Sequence, residues 1–159
     1  MKISQILIKK LFFIFISSQL FLNVSKANSA EEIKIIYSIF SRTIKVNSLK
    51  TYAQEGKSTK KLKRILRATG STDKEIKSVL NKNFEIPITI ASKLVYSEIG
   101  NVFLTRLSSI IHPPIADDER TGMLALRASL VQGIVIGDGK INMLNFFEAY
   151  PTKTIILDV

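Results

Sequence analysis

The order of apolar and polar positions divides this chain into an alternating stretch, a long helical stretch and a second alternating stretch. In Ile33, Lys34, Ile35, Ile36, Tyr37 and again in Thr43, Ile44, Lys45, Val46, β-branched and aromatic residues are interleaved with polar ones. That pattern suits a half-buried pleated surface and predicts two strands around a turn at residues 38–42. A hairpin alone is marginal in water and needs a partner. Residues 154–159, with Thr154, Ile155, Ile156 and Leu157, supply the only other convincing strand.

Between these ends the spacing is helical, and punctuation marks each start and stop. Asn47 or Ser48 caps a first helix carrying Leu49, Tyr52 and Ala53 and stopping at Gly56, a natural left-handed residue. Ser58 caps a second, with Leu62, Ile65 and Leu66 on one face. Thr72 with Glu75 forms a capping box ahead of Ile76, Val79 and Leu80. Pro87 breaks the run. Residues 89–96 and 97–111 then read as two helices, the second placing Val102, Phe103, Leu107 and Ile110 at core spacing. His112, Pro113 and Pro114 end it, and a longer apolar helix follows over residues 122–136. Gly137, Asp138 and Gly139 turn the chain, and Asn142 caps a last helix with Leu144, Phe146 and Phe147. The expected fold is mainly α (α+β), with about six short helices packed against a small sheet made by an N-terminal hairpin and a C-terminal strand.

The first 27 residues stand apart from this pattern. Lys2, Lys9 and Lys10 precede an apolar run over residues 11–22, and Ser25, Lys26 and Ala27 follow it, the layout of an export signal cleaved after Ala27 or, alternatively, after Ser29. The expected division is a signal peptide over residues 1–27 and one domain over residues 28–159, in the periplasm or a thylakoid lumen. Charge shrinks accordingly. The 159 residues carry 23 basic and 13 acidic groups, net +10, and removing Lys2, Lys9, Lys10 and Lys26 leaves +6.

Composition then excludes chemistry. With no Cys and one His, the chain has no disulfide framework, no thiol nucleophile, no Cys-ligated zinc or iron-sulfur cluster and no two-His metal site. His112 beside Asp117, Asp118 and Glu119 reads as a helix stop followed by acids that favour the next helix dipole. Asp138, Gly139, Lys140, Ile141 resembles the centre of a calcium loop, but Ile134, Ile136 and Asn145 stand where ligands belong, so the segment reads as a helix-turn-helix connection. There is no Gly-x-Ser-x-Gly elbow and no phosphate-binding glycine loop. No catalytic residue, metal ligand or cofactor is expected.

One charge feature remains. Lys57, Lys60, Lys61, Lys63, Arg64 and Arg67 lie close together with no acid among them. On a helix the cations of residues 60–67 span an arc of about 160°, opposite Leu62, Ile65 and Leu66. Such a face contacts an anionic membrane surface or an acidic partner, or is simply solvated. It lacks the aromatic platforms of nucleic-acid modules, so nucleic acid is not an expected partner.

The run from Ile35 to Val46, then Leu49, Tyr52, Ala53, Gln54, Glu55, Gly56, resembles the opening of a chiefly cyanobacterial domain of unknown function, number fourteen hundred in its series. Ile86 and Pro87, Gly100, Ile110 and Ile111, the run from Leu124 to Leu130, Asp138 to Ile141, and Tyr150 with Pro151 and Thr152 follow in that family's order. The resemblance covers residues 31–159. Members are commonly labelled alpha/beta hydrolases, because the domain often precedes such a hydrolase in a longer exported chain. Here the sequence stops where the hydrolase would begin, so the resemblance implies a stand-alone accessory domain and carries no catalytic residue over. The leading expectation is an exported, non-catalytic accessory or interaction module for an alpha/beta hydrolase or a hydrophobic ligand, using apolar surface around Phe103, Phe146 and Phe147. The alternatives are a hydrolase, as the family label says, and a peripheral membrane-binding domain using residues 60–67.

Overall fold

The computed structural model describes residues 29–115 and 119–159; the expected export signal, and Asp117 and Asp118, lie outside them. In chain order the elements are β1 (Glu32–Tyr37), β2 (Phe40–Lys45), α1 (Val46–Glu55), α2 (Lys60–Ala68), α3 (Asp73–Asn81), β3 (Phe84–Glu85), α4 (Ile88–Val95), α5 (Glu98–Ser108), β4 (Ile111–His112), α6 (Glu119–Ile136), β5 (Lys140–Ile141), α7 (Met143–Glu148) and β6 (Thr154–Asp158). The expected α+β organisation holds, with helices between a terminal hairpin and a terminal strand.

The hairpin is tighter than residues 38–42. Tyr37 pairs with Phe40, leaving Ser38 and Ile39 as the loop. Ser38 takes a φ of 52°, a positive value of the kind two-residue hairpin loops demand. β6 lies parallel to β1, with Ile33 beside Ile155 and Ile35 beside Leu157. Parallel strands cannot be joined by a turn. The helical layer is therefore the crossover, and Ile33 and Ile155 are buried beneath it. The sheet order is β2-β1-β6-β4. β4 was not expected: Ile111 and His112 pair antiparallel with Leu157 and Ile156 of β6, a partner far away in the chain.

The caps were partly legible. Thr72 and Glu75 make the reciprocal capping box, and Ser97 and Asn142 accept from Gly100 N and Asn145 N. Two starts differ. Thr59, not Ser58, caps α2 by accepting from Leu62 N at 3.1 Å. α1 starts at Val46 with no side-chain cap, because Val46 N donates to Glu31 O at 2.9 Å. The N-terminal backbone does there what Asn47 or Ser48 was expected to do.

α6 is the central helix and packs on α4, α5, α7 and β4. Leu126, Ser129 and Ile134 on it are almost wholly buried. Arg127 ties this centre to the α4–α5 corner: its Nε donates to Val95 O at 3.0 Å, its Nη2 donates to Asn101 Oδ1, and its guanidinium stacks 4.5 Å from the Tyr96 ring centre. At that corner a Cβ on Gly100 would sit 2.0 Å from Leu94 O, so only glycine lets α5 approach the end of α4. The consequence is a correction: α5 turns Gly100, Leu104 and Ser108 inward and leaves Val102 and Phe103 exposed, as is Ile110 in the turn after it. No helix among the described residues is long and apolar enough to cross a membrane.

Candidate functional site

The basic residues of α2 and its approach divide into three groups. Lys60, Lys63, Arg64 and Arg67 recur at i, i+3, i+4 and i+7, a stripe about 100° wide, and line one shallow groove of about 270 Å³. All four are exposed, and none makes an ion pair with a described residue. Leu62 and Leu66, on the opposite face, are buried and hold the helix to the body. Lys61 stands on the flank and lines a different, larger cavity with Leu62, Ile65 and Ile44. Lys57 lies before the helix, 2.9 Å from Glu55 Oε2, so its charge is locally balanced. The structure thus joins four of the six cations and separates two.

Phe146 and Phe147 are core residues, stacked edge to face with ring centres 5.8 Å apart. They offer no surface. Phe103, by contrast, is 61% exposed, and it belongs to a stripe with Ile99 and Val102 along α5 that exposed Ile110 extends just beyond the helix. Ile90 and Leu94 of α4 are exposed as well and continue this face across the Gly100 corner. At its other end the stripe meets the sheet. Asp158 N donates to Ile110 O and Val159 N to Ile36 O, both at 2.9 Å, so the ends of β1 and β6 and the entry to β4 lie side by side. Tyr37, Phe40 and Val159 are exposed there, and Ile39 at the hairpin tip is 88% exposed. The result is an apolar band from α4 along α5 to the hairpin. The charged residues of the two helices on it are Lys93, Glu98 and Arg106. Monomeric surfaces scatter single apolar residues; contiguous bands of this kind mark contact surfaces.

Apart from Phe103, this band was missed by sequence reasoning, though a signal existed. α4 is apolar at Ile88, Ile90, Ala91, Leu94 and Val95, too many for one buried face, and α5 carries two apolar stripes. Helices apolar on more than one side are either central or covered by something else.

Hydrolytic chemistry has one geometric foothold. A Cβ on Gly122 of α6 would lie 2.7 Å from Ser108 Cβ and 3.5 Å from His112 Cβ, so a hydroxyl and the single imidazole flank the same glycine. Ser108 Oγ donates to Thr105 O at 2.7 Å, and His112 Nδ1 lies 2.8 Å from Pro113 O, which places the ring proton on Nδ1. Ser129 is fully buried and donates to Phe146 O, a structural bond. Among the described residues no group of three or more His, Asp or Glu could hold a metal ion.

No curated protein and no solved structure matches the chain. A family model does match, over residues 29–158, nearly the whole of what the structure describes. The landmarks of that match include the elements just assembled, from the hairpin to β6. The chain therefore belongs to the family described as alpha/beta hydrolase of unknown function (DUF1400).

Proposed function

We propose that this chain is an exported accessory domain that docks a protein partner, an alpha/beta hydrolase, through the apolar band of α4, α5 and the hairpin end. The observation that carries the reading is the outward stripe of Ile99, Val102 and Phe103, extended by exposed Ile110 just past the helix, on a helix whose inner face is already filled by Leu104 and Ser108. The choice of an alpha/beta hydrolase as partner rests on the resemblance to chains in which this domain precedes such a hydrolase, the family's own label being alpha/beta hydrolase of unknown function, and the export part of the reading rests on the leader-like pattern of residues 1–27. Tyr96 is held by Arg127, so this part of the surface is ordered before contact and loses little freedom on docking.

The test is co-purification from the native envelope with the tagged chain. An alpha/beta hydrolase should be recovered with the wild type and lost with Ile99→Asp and Phe103→Asp, while both variants keep the wild-type melting temperature. Equal recovery with both variants removes the reading.

A second reading, the hydrolase of the family label, is favoured only by the meeting of Ser108 and His112 at Gly122. It requires the purified chain to cleave a short acyl ester and Ser108→Ala to abolish the cleavage. A third, peripheral membrane binding, is favoured by the groove of Lys60, Lys63, Arg64 and Arg67. Binding to vesicles rich in anionic lipid should then weaken between low and high salt.

A further inference from the structure

An apolar recess beside the basic helix lies away from its charged stripe. It lies between β2 and α2, has a volume of about 450 Å³, and is walled by Ile44, Leu62 and Ile65. Lys45 and Lys61 line it with the hydroxyl-bearing Thr43, Ser48 and Thr59, and among the described residues no carboxylate does. Neither lysine makes an ion pair with a described residue. Thr59 Oγ1 accepts from Leu62 N as a helix cap, which leaves its proton free to donate.

We propose that this groove binds a single-chain amphiphile with an anionic head, a long-chain carboxylate. Charge complementarity selects the head: two cations and several hydroxyl donors line the site, no described carboxylate does, and Glu32, opposite Lys45 in the β1–β2 register, makes no ion pair with it. The apolar walls select the tail, and the volume falls in the ~300–1,000 Å³ range of small-ligand sites. The inference is independent of the docking band, which lies on α4, α5 and the hairpin loop and shares none of these residues.

Calorimetric titration of the chain from residue 28 onward with dodecanoate, below its micelle-forming concentration, tests the assignment. One equivalent should bind. Each methylene added between octanoate and dodecanoate should tighten binding by about fourfold as more tail leaves water. Dodecanol, with the same tail and no charge, should bind about fivefold more weakly. The double variant Lys45→Ala, Lys61→Ala should bring dodecanoate to the level of dodecanol without changing dodecanol itself, and Ile65→Trp should weaken both by filling the groove. Lys63→Glu with Arg67→Glu, on the charged stripe, should change neither. The proposal is overturned by absence of saturable binding, by equal binding of acid and alcohol to the wild type, or by a preference that survives the Lys45 and Lys61 double variant. Loss of dodecanoate in the Lys63 and Arg67 variant overturns it too, since attraction would then be general to the helix.

Discussion

Tyr150 is fully buried, and its hydroxyl finds no hydrogen-bond partner among the described residues. Its ring stacks on Phe146 with centres 6.2 Å apart, so packing, not the polar atom, holds it. An unsatisfied buried hydroxyl costs about 1–3 kcal/mol. Tyr150→Phe should therefore leave stability unchanged or raise it by about 1 kcal/mol, read from urea unfolding. Tyr52 is the contrasting case. Its hydroxyl donates to Asp73 Oδ1 at 3.0 Å, linking α1 to the first turn of α3, and Tyr52→Phe should cost about 1 kcal/mol. Burial pushes both phenols above the usual value of 10.0, with the Asp73 hydrogen bond and charge adding to the effect at Tyr52. Both groups are neutral in the fold and ionise more readily once it opens. Their contribution is complete below pH 10, the unfolded value, and is lost as pH rises beyond it. Urea midpoints should be flat in this respect at neutral pH and fall above about pH 10, less steeply in Tyr150→Phe. A fall of equal steepness in the variant would assign the effect elsewhere.

Among the elements, α5 shows why spacing alone misplaced a face. Val102, Phe103 and Ile110 are large and correctly spaced, so the pattern made them core. The competing stripe of Gly100, Leu104 and Ser108 looks poorer in apolar surface, yet it packs inward because Gly100 admits the Leu94 carbonyl. Closeness of backbones outweighed side-chain size. Gly100→Ala should consequently be far worse than a helix propensity scale suggests, which favours Ala by about 1 kcal/mol. The added methyl meets backbone, and the loss should approach 3 kcal/mol, the upper part of the usual overpacking range. Thermal unfolding would read it; an unchanged or raised melting temperature would show that the corner relaxes. Caps show the opposite lesson. Those at Thr72 and Asn142 were legible because a cap is local chemistry, while the start of α1 was not, because Glu31 O arrives from a neighbouring segment to take the Val46 N–H. β4 escaped for the same reason: two residues become a strand only beside β6.

At the scale of the molecule, charge and apolar surface are on different parts of the surface. The four stripe cations lie on α2, which is held by Leu62 and Leu66, and the apolar band lies along α4, α5 and the sheet end. Neither feature contributes to the core, so altering either should leave the fold intact. Lys63→Glu with Arg67→Glu, and separately Ile99→Asp with Phe103→Asp, should change unfolding free energy by no more than about 0.5 kcal/mol each, as exposed positions generally do. The second pair should also lower binding of a hydrophobic dye and any self-association seen in sedimentation. Larger losses would place these side chains in the stabilising structure. A core control, Leu104→Ala, removes a side chain that is 1% exposed and should cost about 2–5 kcal/mol.

The sequence by itself determined what depends on neighbours in the chain: the alternation of β1 and β6, the caps at Thr72 and Asn142, the left-handed Gly56, the amphipathic division of α2, and the absence of thiol and two-His chemistry. The tertiary structure alone decided which stripe of α5 faces outward, how the six basic residues are shared between a groove, a cavity rim and an ion pair, and that Phe146 and Phe147 are core while Phe103 is surface. The division has one physical cause. Hydrogen-bond caps and periodicity act over a few residues, whereas burial is settled by what else arrives at the same place, and here the decisive arrivals are α4 at Gly100 and α6 beneath α5.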